Sequence, residues 1–333
     1  MHGNFVISLD FELMWGMRDH RSVSDYGDAV LGVRKALPMM LERFEKSGIR
    51  TTWATVGLLF AGSRDDVMDH LPKLQPGYAN RALSPYDFIA NGLGKDEASD
   101  PHHFGKSLVD RILDTEGQEL ACHTFSHYFC LEPGQTIDEF RADLAAAQSI
   151  AAARGVHYKS IVFPRNQWSP EHVAAAGEIG IETFRGDPPG IMYRSRPGEK
   201  NTLAVRGLRL ADSIVPIAQR NDRAELENVA GLTDVTASRF LRVSRRLGGF
   251  VGELQLRRVL SEMTAAARDG RTYHLWWHPH NFGRHTDANI ARLDRILAHF
   301  VKLRDTHGMR SATMIDMRPK AGAKMTAAPS IQA

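Results

Sequence analysis

The chain has 333 residues, enough for one large domain or two small ones. Apolar residues make up 43% and charged residues 24% of it, a composition that excludes a disordered, collagen-like or coiled-coil protein. The formal charge of +3 does not indicate a nucleic-acid partner, and no apolar run of about 18 residues predicts a membrane span. No signal peptide is evident and only two cysteines are present, so we expect a cytoplasmic protein without a disulfide framework.

The first part of the chain alternates predicted strands and helices. Residues 5–9 predict a strand, helical spacing predicts a helix over about 28–47, and residues 51–56 predict a second strand. A strand–helix–strand unit of this length predicts two parallel strands. Residues 62–104 have weak periodicity, and we interpret them as an insertion over one end of the sheet.

The alternation continues through the rest of the chain. Helices are predicted over 106–113, 136–153, 170–179, 254–268 and 289–305, and strands over 119–122, 160–163, 182–185 and 272–277. Thr136 and Glu139 form a capping box at the start of one helix. Residues 319–333 are predicted to be a disordered tail. The whole pattern predicts an α/β fold with five or six βα units in one domain over residues 1–318.

Polar side chains occur where the predicted strands end. They are Asp10, Glu12, His123, Arg165, Arg185 and His278. Sites in parallel α/β folds lie at the carboxyl ends of strands, so this coincidence is the main indication of an enzyme. The signature sequences of serine hydrolases, P-loop proteins and dinucleotide-binding proteins do not occur in the chain.

Two short motifs predict a metal site. Asp10 and Glu12 are two residues apart and point to one face of a strand, where they repel each other unless a cation or an arginine lies between them. His123 and His127 have the H-x3-H spacing, which brings both imidazoles to one face if this turn is helical. Two histidines, one carboxylate and an open water position are the usual hydrolytic zinc site. The alternative is two solvated acids with one core and one surface histidine.

The segment 274–283 is the most unusual of the sequence. His274, Trp276 and His278 share one strand face if the alternation holds. Trp276 and Trp277 beside histidines are typical of an aromatic wall for a sugar ring with a general acid. The alternative is a buried aromatic strand that ends in a capping histidine.

The remaining candidates have simpler interpretations. Arg165 at a strand end could hold a catalytic carboxylate in its ionised form, or form a surface salt bridge. His280 and His285 are interpreted as loop residues. Cys122 and Cys130 are interpreted as packing thiols.

Taken in order, four motifs resemble those of the polysaccharide deacetylases of the NodB-homology type. They are Ser8-Leu9-Asp10-Phe11-Glu12, His123-Thr124-Phe125-Ser126-His127, Phe163-Pro164-Arg165 and Trp277-His278-Pro279. The resemblance covers about residues 5–285. It implies a distorted (β/α) barrel of about seven strands, and removal of N- or O-acetyl groups from sugars with one divalent metal.

The resemblance also implies residue roles. It makes Asp10 the catalytic base, His123 and His127 metal ligands, Arg165 the arginine that orients the base, and His278 the general acid. Most members have a second, metal-binding aspartate where this chain has Phe11. Relatives with an acid-x-acid spacing use the second acid instead, which makes Glu12 the ligand here and agrees with the same-face argument.

Several details of the predicted site stay open. The aspartate that supports His278 is Asp187 or Asp212. The metal is expected to be Zn²⁺, with Co²⁺, Ni²⁺ or Mn²⁺ as alternatives. A backbone N–H near Asn166 is expected to face the oxyanion. The residues expected to contact substrate are Trp276, Trp277, Asn166, Arg185 and Asp187.

The expected substrate is an N-acetylated sugar or oligosaccharide, including lipid- or nucleotide-linked forms, used in surface-polysaccharide biosynthesis. One alternative is a related metal amidohydrolase acting on a formamido sugar or a non-sugar amide. A second alternative is a carbohydrate-binding protein without catalytic activity. The arginines at positions 194, 196, 206 and 209 could meet a phosphate or a membrane surface, or form a solvated basic face. Membrane contact is therefore expected to be peripheral at most.

Overall fold

The computed structural model describes residues 2–188, 221–242 and 248–319, together with residues 193, 197, 207, 208, 212, 326 and 327. The four arginines at positions 194, 196, 206 and 209 lie outside this part of the chain. Of the predicted tail, the structure describes residue 319 and a two-residue strand at 326–327, and the other residues of the tail lie outside the described ranges.

The centre of the fold is a curled, mainly parallel β-sheet. Its strands are β1 (Asn4–Phe11), β2 (Thr51–Thr55), β3 (Gln118–Cys122), β4 (Ser160–Ile161), β5 (Thr183–Phe184), β6 (Glu227–Val229), β7 (Leu232–Asp234), β8 (Arg239–Phe240), β9 (Thr272–Trp277), β10 (Arg310–Ala312) and β11 (Thr326–Ala327). The order across the sheet is β11-β6-β7-β5-β4-β3-β2-β1-β9-β8, and β10 pairs with β1 beside this path. Among the described strands, only the β6–β7 pair is antiparallel. The sheet therefore has more strands than the seven expected.

The helices are α1 (Val23–Leu31), α2 (Val33–Ser47), α3 (Arg64–Asp69), α4 (Tyr86–Asn91), α5 (Lys106–Leu113), α6 (Ile137–Ala152), α7 (Pro170–Glu178), α8 (Gly248–Arg268) and α9 (Thr286–His307). The capping box of Thr136 and Glu139 begins α6 as predicted. The single helix predicted over about 28–47 is two helices, α1 and α2. They meet at Gly32, where a Cβ atom would lie 2.0 Å from the carbonyl oxygen of Gly283, so this close backbone approach requires glycine.

The interior of the sheet changes from apolar to polar along β1. Phe5, Ile7 and Leu9 pack in the main core under the helices, whereas Val6 belongs to a separate small cluster with residues of β2 and β10. Side chains two residues apart share a strand face, so Ser8 points to the same side as Val6. The amino end of this face is thus filled by apolar side chains, and its carboxyl end is left to polar ones.

Residues 62–104 contain α3 and α4 and lie beside the carboxyl end of β1. The indole N–H of Trp15 donates a hydrogen bond to the carbonyl of His103 at 2.7 Å, and an isolated bridge joins Ser63 to Asp96. The interpretation of this segment as an insertion into one domain stays a prediction. In the described part of the chain, every helix is too short or too polar to cross a membrane.

Candidate active site

Two buried carboxylates stand at the carboxyl end of β1. Asp10 continues the face of Val6 and Ser8 into the interior of the curled sheet. Glu12 follows directly after the strand, and the left-handed φ of 46° at Leu13 turns the chain there. The predicted convergence of both acids on one site is therefore what the structure shows.

Glu12, His123 and His127 offer three ligand atoms that lie within 4.8 Å of one another. Oε2 of Glu12 is 3.0 Å from Nε2 of His127 and 3.5 Å from Nε2 of His123. Nδ1 of His123 lies 2.7 Å from the carbonyl oxygen of Val162, so Nδ1 carries a proton and Nε2 is the nitrogen that faces the carboxylate. A carboxylate oxygen and two imidazole Nε2 atoms this close together form a ligand set for a cation. The residues present therefore fit a divalent metal.

The protonation states of this group suit metal binding. Burial by itself would raise the pKa of Glu12, but the imidazoles of His278, His123 and His127 hold that pKa well below its usual range. Burial lowers the pKa of His127 to about 4. An ionised carboxylate and a neutral imidazole are the forms in which these side chains bind a metal.

The loop that carries the two histidines is not helical. Thr124 has a φ of 61° and His127 a φ of 60°, and both values lie in the left-handed region. The helical turn considered from the H-x3-H spacing is therefore wrong, and the imidazoles of His123 and His127 converge because two left-handed residues fold the loop back. Strained backbone of this kind is maintained only where the surrounding structure holds it.

Asp143 on α6 holds the loop in this conformation. Its carboxylate accepts hydrogen bonds from the backbone N–H of Phe125 at 2.6 Å, from the backbone N–H of Ser126 at 3.2 Å, and from the Ser126 hydroxyl. Asp143 is completely buried. The position of the histidines thus depends on a helix that follows them in the chain.

Arg185, at the end of β5, forms a bidentate ion pair with Asp10. Its two terminal nitrogens lie 2.6 Å from Oδ1 and 2.8 Å from Oδ2 of the carboxylate, and both side chains are buried. Burial alone would raise the pKa of Asp10, but the Arg185 ion pair, together with His278 and His123, outweighs burial and holds the pKa below its ordinary value. Arg185 was expected among the substrate contacts, and the structure places it against the predicted base.

The predicted pairing of Arg165 with Asp10 is wrong. Arg165 donates to the carboxylate of Asp19 at 2.5 Å, and its guanidinium lies 4.3 Å from the ring centre of Phe129. The backbone of Arg165 is left-handed, with a φ of 55°, and directs the side chain away from the base. Arg185 makes the contact that was expected of Arg165.

The backbone N–H of the next residue is already used within its own loop. The backbone N–H of Asn166 donates to the carbonyl of Phe163 at 2.9 Å, so it is not available to an oxyanion. The side-chain oxygen of Asn166 instead accepts a hydrogen bond from Arg185 at 3.0 Å. Asn166 therefore supports the arginine that binds Asp10.

His278 lies on the accessible side of the two carboxylates. Its Nε2 is 3.7 Å from Oδ2 of Asp10 and 3.7 Å from Oε1 of Glu12, and its side chain is 25% exposed. The partly exposed Trp276 lies beside it, with ring centres 5.7 Å apart, and Phe240 packs on Trp276 at 4.6 Å. An acid at the open side of the site can reach a bound substrate.

Trp277 does not face the site. It is completely buried, stacks on Phe282 at 5.7 Å and packs near Phe44 at 6.4 Å between ring centres. The strand alternation that brings Trp276 to the site places Trp277 in the core, so the predicted substrate contact of Trp277 is wrong. Cys122 and Cys130 are buried and unpaired, as expected of packing thiols.

Sequence reasoning missed one histidine of the site and assigned no role to another. His280, interpreted as a loop residue, is buried with its Nδ1 3.8 Å from Oε1 of Glu12, and its ring stacks on His278 at 5.0 Å. His274 is buried beneath the site against Ser8. The spacing of His274, His278 and His280 by even numbers was the available signal.

The aspartate that supports His278 stays open. Asp212 is completely buried, accepts a hydrogen bond from the Tyr193 hydroxyl at 2.5 Å, and lies 3.8 Å from Arg239 and 3.8 Å from Arg258. Asp187 is partly buried two residues after Arg185. Asp10 and Glu12 each have a carboxylate oxygen 3.7 Å from Nε2 of His278.

Comparison with known proteins finds solved structures with a similar fold, but no protein that matches in sequence. No family model and no curated protein matches the chain in sequence. A Mycobacterium smegmatis protein assigned as a polysaccharide deacetylase has 13% identity and a TM-score of 0.59, and the match covers 98% of this chain and 96% of that one. A GH57 branching enzyme from Thermococcus kodakaraensis has 12% identity and a TM-score of 0.55, with 98% and 72% covered. A 4-alpha-glucanotransferase from Thermococcus litoralis has 10% identity and a TM-score of 0.52, with 95% and 40% covered.

The chain therefore has a mixed α/β fold similar to that of the polysaccharide deacetylases, and the predicted distorted-barrel class is confirmed. At these identities the comparison concerns the fold alone. The chemistry of the site is argued from its own residues.

Proposed function

We propose that this protein is a metal-dependent hydrolase that removes the acetyl group of an N-acetylated sugar. The observation that carries the proposal is the buried group of Glu12, His123 and His127 beside an ionised Asp10 and an accessible His278. The similarity in fold to a protein assigned as a polysaccharide deacetylase supports a sugar as the substrate.

A metal at this site would be held by Glu12, His123 and His127, an acid-x-acid variant of the family's ligand set. When bound, it would polarise the amide carbonyl and acidify a water molecule. Zn²⁺ is the metal we expect from two imidazoles and one carboxylate, and Co²⁺, Ni²⁺ or Mn²⁺ are the alternatives.

The proton transfers are assigned to two side chains of the chain itself. Asp10 is the general base, because Arg185 keeps its carboxylate ionised and oriented at the site. His278 is the general acid that protonates the leaving amine, because it is the partly exposed member of the group. The products are acetate and an amino sugar.

The substrate is proposed to lie against the aromatic border formed by Trp276 and Phe240. Asp187, which follows Arg185 at the same sheet end, is retained as a further substrate contact. An N-acetylated sugar or oligosaccharide of surface-polysaccharide biosynthesis, including lipid- or nucleotide-linked forms, is the proposed class. A formamido sugar, a non-sugar amide and a carbohydrate-binding role without catalysis remain the alternatives. The cytoplasmic location remains an expectation of the sequence.

The decisive experiment measures acetate release from a panel of N-acetyl sugars and surface oligosaccharides, with and without chelator. We expect release that stops with chelator and in His123→Ala. Asp10→Asn is the matched variant, because it removes the base and leaves the three ligands intact. It should lose turnover while binding metal with the stoichiometry of the unmodified protein.

Each other result selects an alternative. Metal binding without acetate release would favour the formamide or non-sugar amide, and the panel would then be screened for formate. Absence of both acetate release and metal binding would favour the carbohydrate-binding role. Full activity of Asp10→Asn would remove Asp10 from the mechanism.

A further inference from the structure

His274 lies completely buried on β9, below the proposed catalytic residues. Its Nδ1 is 2.8 Å from the carbonyl oxygen of Val235, and its Nε2 is 2.8 Å from Oγ of Ser8. A carbonyl can only accept, so the proton resides on Nδ1. Burial, reinforced by the charge of Arg185, lowers the pKa of His274 to about 3, so the imidazole is neutral. Its Nε2 is therefore an acceptor.

This tautomer of His274 sets the direction in which the Ser8 hydroxyl donates its hydrogen bond. Because Nε2 of His274 can only accept, Ser8 donates its proton to the imidazole. The lone pairs of the Ser8 oxygen are then directed to other donors. The donor they meet is the NH1 group of Arg185, at 3.0 Å.

Arg185 is held from three sides in this way. NH1 bonds to Ser8 and to Oδ1 of Asp10, NH2 bonds to Oδ2 of Asp10 and to the side-chain oxygen of Asn166, and the guanidinium lies 4.0 Å from the ring centre of Trp276. An arginine whose two terminal nitrogens are both hydrogen-bonded in this way is held in one orientation toward the carboxylate. A chain of hydrogen bonds thus runs from the backbone carbonyl of Val235, directly after β7, to the proposed base on β1.

We propose that His274 is a positioning residue for Asp10, acting through Ser8 and Arg185. The carbonyl of Val235 selects the imidazole tautomer, the tautomer sets the direction of the Ser8 hydroxyl, and Ser8 sets the orientation of Arg185. This inference rests on the proposed function in that it takes Asp10 as the base. It adds that a histidine remote from any bound substrate determines how that base is presented.

The experiment compares His274→Gln with His274→Asn. Glutamine places an acceptor where Nε2 stands, whereas asparagine keeps the donor to Val235 and removes the acceptor for Ser8. We expect kcat to fall about 10- to 100-fold in His274→Asn and much less in His274→Gln, with unchanged KM and metal affinity. Ser8→Ala should resemble His274→Asn, and the double variant should be no worse than either single one.

Several results overturn the inference. They are an unchanged kcat in folded His274→Asn, equal losses in the Asn and Gln variants, or additive losses in the double variant. If His274 had only a structural role, both His274→Asn and His274→Gln would have a lower thermal unfolding midpoint, but kcat would not fall more in His274→Asn than in His274→Gln.

A crystal structure separates this inference from the proposed function. If the unmodified protein released no acetate, the proposed function would fail, and His274→Asn would still be judged by its Arg185–Asp10 geometry. Loss of the bidentate pair supports the positioning role. An unchanged bidentate pair overturns it.

Discussion

Asp10 and Glu12 are separated by one residue, yet their surroundings give them different chemistry. Asp10 is bound through both oxygens by Arg185, so its charge is balanced by a guanidinium. Glu12 is surrounded by imidazole nitrogens, with His123 and His127 on Oε2 and His278 and His280 on Oε1. These surroundings suit Glu12 to bind a metal and Asp10 to accept a proton, as proposed above.

The two arginines of the predicted site provide a matched test at this scale. Arg185→Lys replaces two charge-assisted hydrogen bonds to Asp10 by at most one and leaves Ser8 or Asn166 without its donor. We expect kcat to fall roughly 30- to 100-fold, which corresponds to about 2–3 kcal/mol. Arg165→Lys should change kcat by less than about threefold, because Arg165 bonds to Asp19 and lies over Phe129.

Steady-state kinetics on saturating substrate, with metal content measured in each variant, checks this prediction. A larger loss for Arg165→Lys than for Arg185→Lys would restore the original assignment of Arg165. Both arginines follow predicted strands, and the sequence offers no means to choose between them. The choice depends on a left-handed backbone at Arg165 and on β5 lying opposite β1 across the curled sheet.

The histidine loop shows how one element imposes geometry on another. Thr124 and His127 have left-handed backbones, and the buried carboxylate of Asp143 on α6 holds the loop between them. Burial raises the pKa of Asp143 to about 6, and the three hydrogen bonds that it accepts oppose this rise. The conformation of the histidine loop is therefore coupled to the protonation of the Asp143 carboxyl group.

This coupling predicts a pH dependence of stability. The pKa of Asp143 is higher in the folded protein than in the unfolded chain, so the folded state binds more protons between about pH 4 and 6. The contribution of Asp143 to the free energy of unfolding should therefore be largest below pH 4 and decrease by up to about 3 kcal/mol as the pH rises to 6.

Urea unfolding of the metal-free protein at several pH values from 4 to 7 measures this contribution. The stability difference between the unmodified protein and Asp143→Asn should shrink across this range, since asparagine does not titrate. Parallel pH profiles for the two proteins would show that Asp143 has an ordinary pKa and is no part of the pH response.

The elements themselves were largely predictable, and the loops between them were not. Periodicity and end signals located β1, β9, α5 and α6, because an amphipathic pattern and a capping box act within one segment. The conformation of the histidine loop depends on Asp143, which lies beyond it in the chain and contacts it only after folding. The separation of α1 from α2 at Gly32 likewise involves a tertiary contact, with Gly283.

On the scale of the whole molecule, the two ends of the sheet differ in role: one carries the proposed site, and the other carries hydrogen bonds that join the strands. The carboxyl ends of the strands carry the proposed site. At the amino end, Glu119 accepts hydrogen bonds from Thr52 on β2 at 2.6 Å, from Ser160 on β4, and from the backbone N–H of Ile315 at 3.3 Å. One carboxyl group thus joins three strands and the segment after β10. Burial raises its pKa above the ordinary value.

This division predicts opposite outcomes for two glutamates. Glu119→Ala leaves three donors without their acceptor, so the free energy of unfolding should fall by about 2–4 kcal/mol while kcat and metal affinity stay unchanged. Glu12→Ala should abolish high-affinity metal binding and turnover while the stability of the metal-free protein changes by less than about 1 kcal/mol, because the buried imidazoles of His127 and His280 that it leaves are neutral.

Chemical unfolding and a competitive metal-chelator titration of both variants test this division of the sheet. The kinetic assays are run at a temperature well below the unfolding midpoint of both variants, so that both proteins are fully folded in them. A loss of metal affinity in folded Glu119→Ala would contradict the division of the sheet into a structural end and a site end. In that case the strand ends would behave as one cooperative unit, because β2, β3 and β4 would transmit a change at their amino ends to His123 at the end of β3. Retention of metal affinity would mean that these strands are rigid enough to isolate the site from the opposite end of the fold.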